Sequence, residues 1–575
     1  MPKKNKQRAL LLAAALSVGL AGSAADWRRE DFDGSELGVF ERVPGGNPRL
    51  RTSRENGCLR LVDAGARKGD LFVLRKFWNA DPATGAAVEA RVRVVSCHGL
   101  AGVMLLVADG VHEDILTLYP DRIALHRAGL DFPLDTTADF HVYRVDIRGQ
   151  DIDVSVDGRR VIAGKGKFTF PAHQGRNRVS FGAGSSAATG EAYWDWIRWT
   201  VPGKHAPGVQ TVPGAEHVVV YKDPTRYACF PSLRIEPKSE TLYTSFGARI
   251  RASHIDPSGG AIRMRSRDGG RTWERIDRIP TNAVGMRPPE IFKAADGALI
   301  QIGQYFWRRY PAAKKKEFEG RCFVQDNCGP GPGKIAIITG GFLRRSEDGG
   351  KTWQRREIPE LDAWRAASSA WSYGQLPDGT LLRAFMVQRH KGGARDCLVV
   401  RTRDGRNYDV VRAMKGDPAH KLEVTEENWL HLMRSGGVWM LARIEGGDDF
   451  MWQAFSEDGG RTWRQVKTGI RGHPPSSVLR LQDGRLLLTY GYRHRPYGIR
   501  AVLSDDDGRT WDTKHVLVLR ADGAGPDLGY PRSVQLRDGA IVTLYYFMVD
   551  DGIRHIACTR WRVPERKVVK RASGE

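Results

Sequence analysis

The sequence predicts an all-β protein, a six-bladed β-propeller preceded by a β-sandwich, and three observations predict it. First, a phrase of the form S-x-D-x-G-x-T-W occurs four times, as SRDGGRTW from Ser266, SEDGGKTW from Ser346, SEDGGRTW from Ser456 and SDDDGRTW from Ser504. A worn copy, TRDGRNY from Thr402, falls midway between the second and third, so the period is about fifty residues, the length of a propeller blade. Second, a strand running into a D-G type turn recurs as CFPSLRIEPKSETLYTSF, RPPEIFKAADGALIQIG, WSYGQLPDGTLLRAF, EENWLHLMRSGGVWMLAR, PPSSVLRLQDGRLLLTY and YPRSVQLRDGAIVTLYYF, which gives six blades. Third, residues 27 to about 200 lack the repeated phrase and read as short alternating segments such as AAVEARVRVV, AGVMLLVA and HVYRVDI. Strands at that spacing, with turn residues between them, form a sandwich.

Taken in order, the chain opens with Lys3, Lys4, Lys6 and Arg8, an apolar run over 9–20, and small residues over 22–25. This pattern reads as a secretory signal peptide (1–25) cleaved near Ala25, too short to span a bilayer, so the mature protein is expected to be exported, periplasmic or extracellular. The sandwich is expected over 26–200. Within it, DVSVDGRRVIAG is a hairpin with Asp157-Gly158 at its turn. Trp194, Trp196 and Trp199 alternate along a closing strand and are read as core residues rather than sugar platforms. VPGKHAPGVQTVPG is a linker over 201–215, and the propeller occupies 216–575. Residues 308–334, long for a blade loop, are a candidate rim of a site.

With 575 residues, 41% of them hydrophobic, the chain can bury full cores in two or more domains, which excludes a disordered tail. The net charge of +22 favours anionic partners. The basic residues are nevertheless spread out, the longest run being 314–316, and no nucleic-acid motif is present, so an acidic glycan is the expected partner rather than nucleic acid. The seven cysteines (Cys58, Cys97, Cys229, Cys322, Cys328, Cys397 and Cys558) are too scattered for a disulfide scaffold. Cys322 and Cys328 are the best-placed pair. No spacing suggests a metal site.

The repeated phrase resembles the Asp box of the sialidase (neuraminidase) superfamily, whose six-bladed propellers carry BNR repeats, over about residues 209 to 575. The segments before it resemble the concanavalin-like jelly rolls appended to carbohydrate-active enzymes. In that family the box sits on blade turns away from the active face, so Asp268, Asp348, Asp458 and Asp506 are expected to be structural. The resemblance implies an exo-sialidase-like glycoside hydrolase that removes a terminal acidic sugar with retention, needing no cofactor.

In a propeller the innermost strands enter from one face, so residues a few places before each D-G turn converge on one cavity. Counting back six from the last apolar strand residue puts Cys229, Glu426 and Tyr530 in equivalent places. The resemblance makes Tyr530, in GYPRS, the nucleophile and Glu426, in TEENWLHL, the base that draws off its proton; Glu427 serves if the register slips by one. A neutral phenol suits this substrate because the carboxylate on the anomeric carbon of sialic acid would repel an anionic nucleophile. Asp256, in SHIDPSGG, occupies the place of the acid/base, with His254 beside it either to tune its pKa or to cap the loop.

Three arginines hold the substrate carboxylate in that family, because guanidinium forks bind it bidentately. Arg443 matches the second, and Arg493 or Arg495 the third. The first belongs to an Arg-Ile-Pro signature that here reads Cys229-Phe230-Pro231. Arg532, two along the strand from Tyr530, is the favoured replacement; Arg226, Arg249 and Arg287 are further candidates. Two other readings keep the propeller. One is a lyase or hydrolase on uronate-containing polysaccharide, with Tyr530 and His254 as base and acid. The other is a non-catalytic glycan-binding propeller, to which the absent arginine lends weight.

Overall fold

A computed structural model describes residues 27–564 apart from 33–39, 43–49, 65–71, 79, 174–175, 184–187, 202–208, 224, 250–259, 286–290, 305–307, 320–321, 323, 327–332, 338–339, 363–365, 369–372, 389–392, 418–422, 446–449 and 550–551. The expected signal peptide and Cys328 therefore lie outside the described residues. Among the described residues no helix is long and apolar enough to cross a membrane. The fold is all-β.

Two antiparallel sheets make up the N-terminal region. One has the order Arg159–Gly164, Asp151–Val156, His141–Arg148, Ala86–His98, Thr189–Thr200, Cys58–Asp63, Leu50–Glu55, with Arg28–Glu30 also paired to Thr189–Thr200. The other runs Leu130–Pro133, Arg122–Leu125, Glu113–Leu118, Met104–Asp109, Asn177–Ala183, Phe72–Phe77, Glu41–Arg42. Strand alternation sends Val88, Ala90, Val92 and Val94 from the first sheet against Leu74, Leu105 and Phe181 from the second. Trp194 and Trp199 are buried in that core, whereas Trp196 lies under the guanidinium groups of Arg29 and Arg198. Asp157 and Gly158 both have positive φ, 50° and 82°. This is the pair a two-residue hairpin turn needs in order to follow strand twist.

Six antiparallel sheets then follow in sequence: sheet one (227–285), two (292–357), three (366–414), four (423–471), five (473–520) and six (529–561). The strand Glu216–Tyr221 pairs with His555–Trp561, so the start of this region completes its last sheet. Neighbouring sheets pack face to face as propeller blades do. Tyr227, Phe246 and Ile262 of sheet one meet Val534, Val542 and Leu544 of sheet six. Clusters of the same kind join sheets two and three, three and four, four and five, and five and six. The stretch 308–334, expected as a rim loop, contributes to a small sheet of Arg308–Pro311, Val324–Asp326 and Lys334–Ile337 over Phe318.

The repeated phrase occupies the turn that follows Gly260–Ser266, Gly341–Ser346, Phe450–Ser456 and Gly498–Ser504 in sheets one, two, four and five, and its worn copy follows Arg395–Thr402 in sheet three. In the first copy Asp268 accepts hydrogen bonds from Ser266 Oγ (2.8 Å), Thr272 N (2.9 Å) and Thr272 Oγ1 (2.5 Å), while Ser266 Oγ accepts from Gly270 N (2.8 Å). Asp348, Asp458 and Asp506 repeat the pattern. Gly270, at φ 93°, is in a conformation that side chains rarely adopt, and a Cβ there would press against Val542 Cγ1 of sheet six at 3.0 Å. The turn thus staples one sheet to its predecessor. In the worn copy Asn407 takes over the threonine's part, donating its amide N–H and Nδ2 to Asp404. Sheet six has no copy because its fourth strand is Glu216–Tyr221, supplied from the other end of the region.

Candidate functional site

Tyr530 stands at the start of the first strand of sheet six, Gly529–Gln535. Its backbone is left-handed, φ 52°, and so is that of Phe230 at φ 58°. Aromatic residues rarely adopt this conformation, and such strain gathers at functional sites. The two rings lie against each other, centroids 4.2 Å apart, and Tyr546 closes on both at 5.7 Å and 5.6 Å. The guanidinium carbon of Arg493 is 5.9 Å from the Tyr530 ring centroid.

Beside this aromatic group lies Asp527. Its carboxylate accepts hydrogen bonds from Tyr227 Oη (2.5 Å) and Tyr546 Oη (2.9 Å) and pairs with Arg554 Nε (3.2 Å). Arg493 in turn donates to Tyr546 Oη (3.1 Å) and to the carbonyl of Leu528 (3.0 Å). Burial would raise the Asp527 pKa, but the Arg554 charge, the Tyr227 hydroxyl, Arg493 and Tyr546 draw it down to about 2. Burial first, and then the Asp527 charge, hold the phenols of Tyr227 and Tyr546 well above their ordinary pKa. They remain neutral donors. The Cys229 thiol is pushed up to about 12, by burial and then by Asp527, so it is no nucleophile at neutral pH.

The arginines divide into groups. Arg443 and Arg493 come together around His473, whose pKa burial and then these two charges, with His494, drive down to about 2. Burial does most of this, and the neighbouring positive charges add to it, so the imidazole is neutral. Arg249 faces Tyr227 across the strand pair, and Gly247 faces Cys229. A Cβ on Gly247 would stand 3.5 Å from Arg249 Nε and 3.7 Å from its Nη2, so the guanidinium folds over the glycine opposite Cys229. Its Nε is buried and makes no hydrogen bond among the described residues.

Arg495 goes elsewhere. Its Nε would be 3.3 Å from a Cβ on Gly110, which puts it against the sandwich. Arg532 is 3% exposed, donates to the Pro531 carbonyl (2.7 Å) and lies 5.8 Å from the Trp429 ring of sheet four. Strand alternation predicted that it would share a face with Tyr530. The pairing register shifts between Gly529 and Arg532, so strand alternation does not by itself fix the relation of the two side chains. Arg226 donates its amide to the Asp223 carbonyl in a turn (3.1 Å). Glu426 and Glu427 lie in the strand Glu423–Leu432 where its register also shifts, between Val424 and Asn428, and their side chains are outside what is described. So are Asp256, His254 and Arg287.

Asp527, Tyr227, Tyr546, Arg554 and His473 were missed by sequence reasoning. GPDLGY reads as an ordinary turn, and nothing local links it to a tyrosine in sheet one. The alternation in TLYYF was the one available signal, since consecutive strand residues face opposite sides and only one of Tyr545 and Tyr546 can face a cavity.

Residues 414–543 match the BNR repeat-like domain. No protein of curated function matches the chain. Among solved structures the chain is similar to a protein of unknown function from Dyadobacter fermentans, with 25% identity over 62% of this chain and 100% of that one and a TM-score of 0.47. It is also similar to the intramolecular trans-sialidase from Ruminococcus gnavus, with 16% identity, coverage of 62% and 99%, and a TM-score of 0.36. A Hadza microbial sialidase gives 15% identity, coverage of 87% and 97%, and a TM-score of 0.36. The BNR repeat-like match spans sheets four and five, the first strand of sheet six and the start of its second, the stretch that holds Arg443, His473, Arg493, Asp527 and Tyr530.

Proposed function

We propose that the chain is an exported glycoside hydrolase that removes a terminal acidic sugar, sialic acid or a related one, from glycans. The observation that carries this reading is the set of guanidinium groups around strained, stacked aromatics: Arg249, Arg443, Arg493 and Arg554, with Asp527 as the described carboxylate among them. Such a region attracts an anion, and the neutral phenols beside it do not repel one. Arg443, Arg493 and Arg249 would hold the substrate carboxylate, with Arg249 restoring the charge that the Cys229-Phe230-Pro231 signature lacks.

In this reading the Tyr530 oxygen attacks the anomeric carbon while its proton passes to Glu426. The bond to the leaving oxygen breaks as Asp256 protonates that oxygen. Water, giving its proton to Asp256, then displaces the tyrosyl group, and Glu426 returns the proton to Tyr530, so two inversions give net retention.

The test is turnover of a fluorogenic sialoside. Tyr530→Phe is expected to lose about a thousandfold or more in kcat with its melting temperature preserved. Arg249→Ala is expected to raise KM by roughly ten- to a hundredfold. A wild-type chain that binds sialylated glycans without turnover would replace the hydrolase with a binding propeller, and an unsaturated product from polyuronate would replace it with a lyase.

A further inference from the structure

We infer that the sandwich supplies a second anion-binding subsite, centred on Arg178, for the next acidic unit of an oligosaccharide whose terminal sugar occupies the propeller site. This rests on the acidic-sugar reading above and extends it from a single sugar to a chain.

The sandwich is seated beside the Asp527 group. Phe77 packs with Ala524 and Met548, and a Cβ on Gly525 would stand 2.9 Å from the Phe77 ring. The Arg554 guanidinium, which pairs with Asp527, lies 5.7 Å from the same ring. Arg178 is the direct cross-strand partner of Phe77, while Arg75 precedes Phe77 by two residues and pairs with Ser180. All three side chains therefore share one face of the sheet. A continuous path of contacts runs from Arg178 through Phe77 and Arg554 to the propeller site.

Arg178 is unusual in what it lacks. Its side chain is 12% exposed, and its buried Nε has no hydrogen-bond partner among the described residues. The Glu113 carboxylate is 3.9 Å from Nη2 and already accepts the His173 amide at 3.0 Å. Burial, and then the charge of Arg176, lower the Arg178 pKa to about 10, so the group stays charged at neutral pH. A largely buried guanidinium whose one ion pair is a long one keeps hydrogen-bonding capacity to spare, and a carboxylate or sulfate provides the bidentate acceptor that a guanidinium fork fits. The neighbouring backbone is fixed for the purpose. Asn177 accepts from Ala80 N (2.9 Å) and donates to the carbonyls of Ala80 (2.7 Å) and Asp109.

Calorimetric binding tests this with three probes: the methyl glycoside of sialic acid, an α2,8-linked sialic acid trimer and trigalacturonate. The wild-type chain is expected to bind at least one trimer more tightly than the monosaccharide. Arg178→Met and Arg178→Gln are expected to cut that trimer's affinity about tenfold or more, with the affinity for the monosaccharide, which the propeller site alone holds, as in the wild type. The subsite is overturned if both variants bind the trimers as the wild type does, if no trimer outbinds the monosaccharide, or if both variants lose monosaccharide affinity to the same degree as trimer affinity. A chain that turns over no fluorogenic sialoside yet keeps Arg178-dependent trimer affinity retains the subsite and loses the hydrolase.

Discussion

Asp268 and Asp527 are held at about the same pKa, near 2, by opposite constructions. Every hydrogen bond that holds Asp268 comes from within four residues, from Ser266, Arg271 and Thr272. Asp527 draws on Tyr227, 300 residues earlier, and on Tyr546 and Arg554, 19 and 27 residues later. The first is a self-sufficient turn that any sheet can carry, and so it repeats. The second exists once, where sheets one and six meet, and it alone lies among arginines and strained aromatics. A depressed carboxylate pKa therefore does not by itself distinguish a staple from a site. The sequence distance of its partners does.

The largest break in this comparison is expected from Asp527→Ala. It leaves Arg554, 4% exposed, without its carboxylate, and stranding one member of a buried pair costs about 3–5 kcal/mol. Urea unfolding followed by tryptophan fluorescence measures it, and a loss below about 1 kcal/mol would show that Arg554 finds another partner.

An intermediate effect follows from pH. Both carboxylates have folded pKa values below the ordinary 3.8, so between the two values the unfolded chain binds more protons. Their stabilisation is complete above about pH 4 and is lost as pH falls through about 2, and Asp527 accounts for at most about 2 kcal/mol of it. Asp527→Asn should flatten the stability slope across that window. An unchanged slope would mean that the carboxylate gains nothing from its partners.

The smallest effect separates the intact turn from the worn one. Asp268→Ala is expected to cost about 1–2 kcal/mol and Asp404→Ala about 1 kcal/mol or less. In the worn copy Thr402 Oγ1 gives its proton to the Asn407 carbonyl (2.6 Å) and stands 3.5 Å from Asp404. Equal losses, read from urea midpoints, would show that the hydroxyl contributes nothing to the intact turn.

What the sequence disclosed follows the same division. The turn staple, the D-G strands, the Asp157-Gly158 hairpin and the all-β class depend on neighbours a few residues apart, and they could be read directly. Tyr530 could be placed at a strand start because GYPRS precedes a D-G turn. The position of Arg532 could not, because the pairing register shifts within the same strand and period-two counting no longer relates the two side chains. Arg495 and Arg493 are equally invisible as a pair. Two residues apart, one turns to Gly110 and the other to Tyr546, and only the seam between two regions decides which. Arg249 was nameable as a cation near a strand start, but its relation to Cys229 rests on Gly247 in the pairing of two strands.

The strand Glu216–Tyr221 shares its sheet with His555–Trp561, and the carboxylate cage joins Tyr227 to Arg554. A polypeptide still being synthesised has the phenol long before it has the guanidinium or the closing strand. The carboxylate cage is thereby assembled only once the last sheet has been made: a prematurely terminated product keeps its early sheets but lacks both Arg554 and the strand that pairs with Glu216–Tyr221.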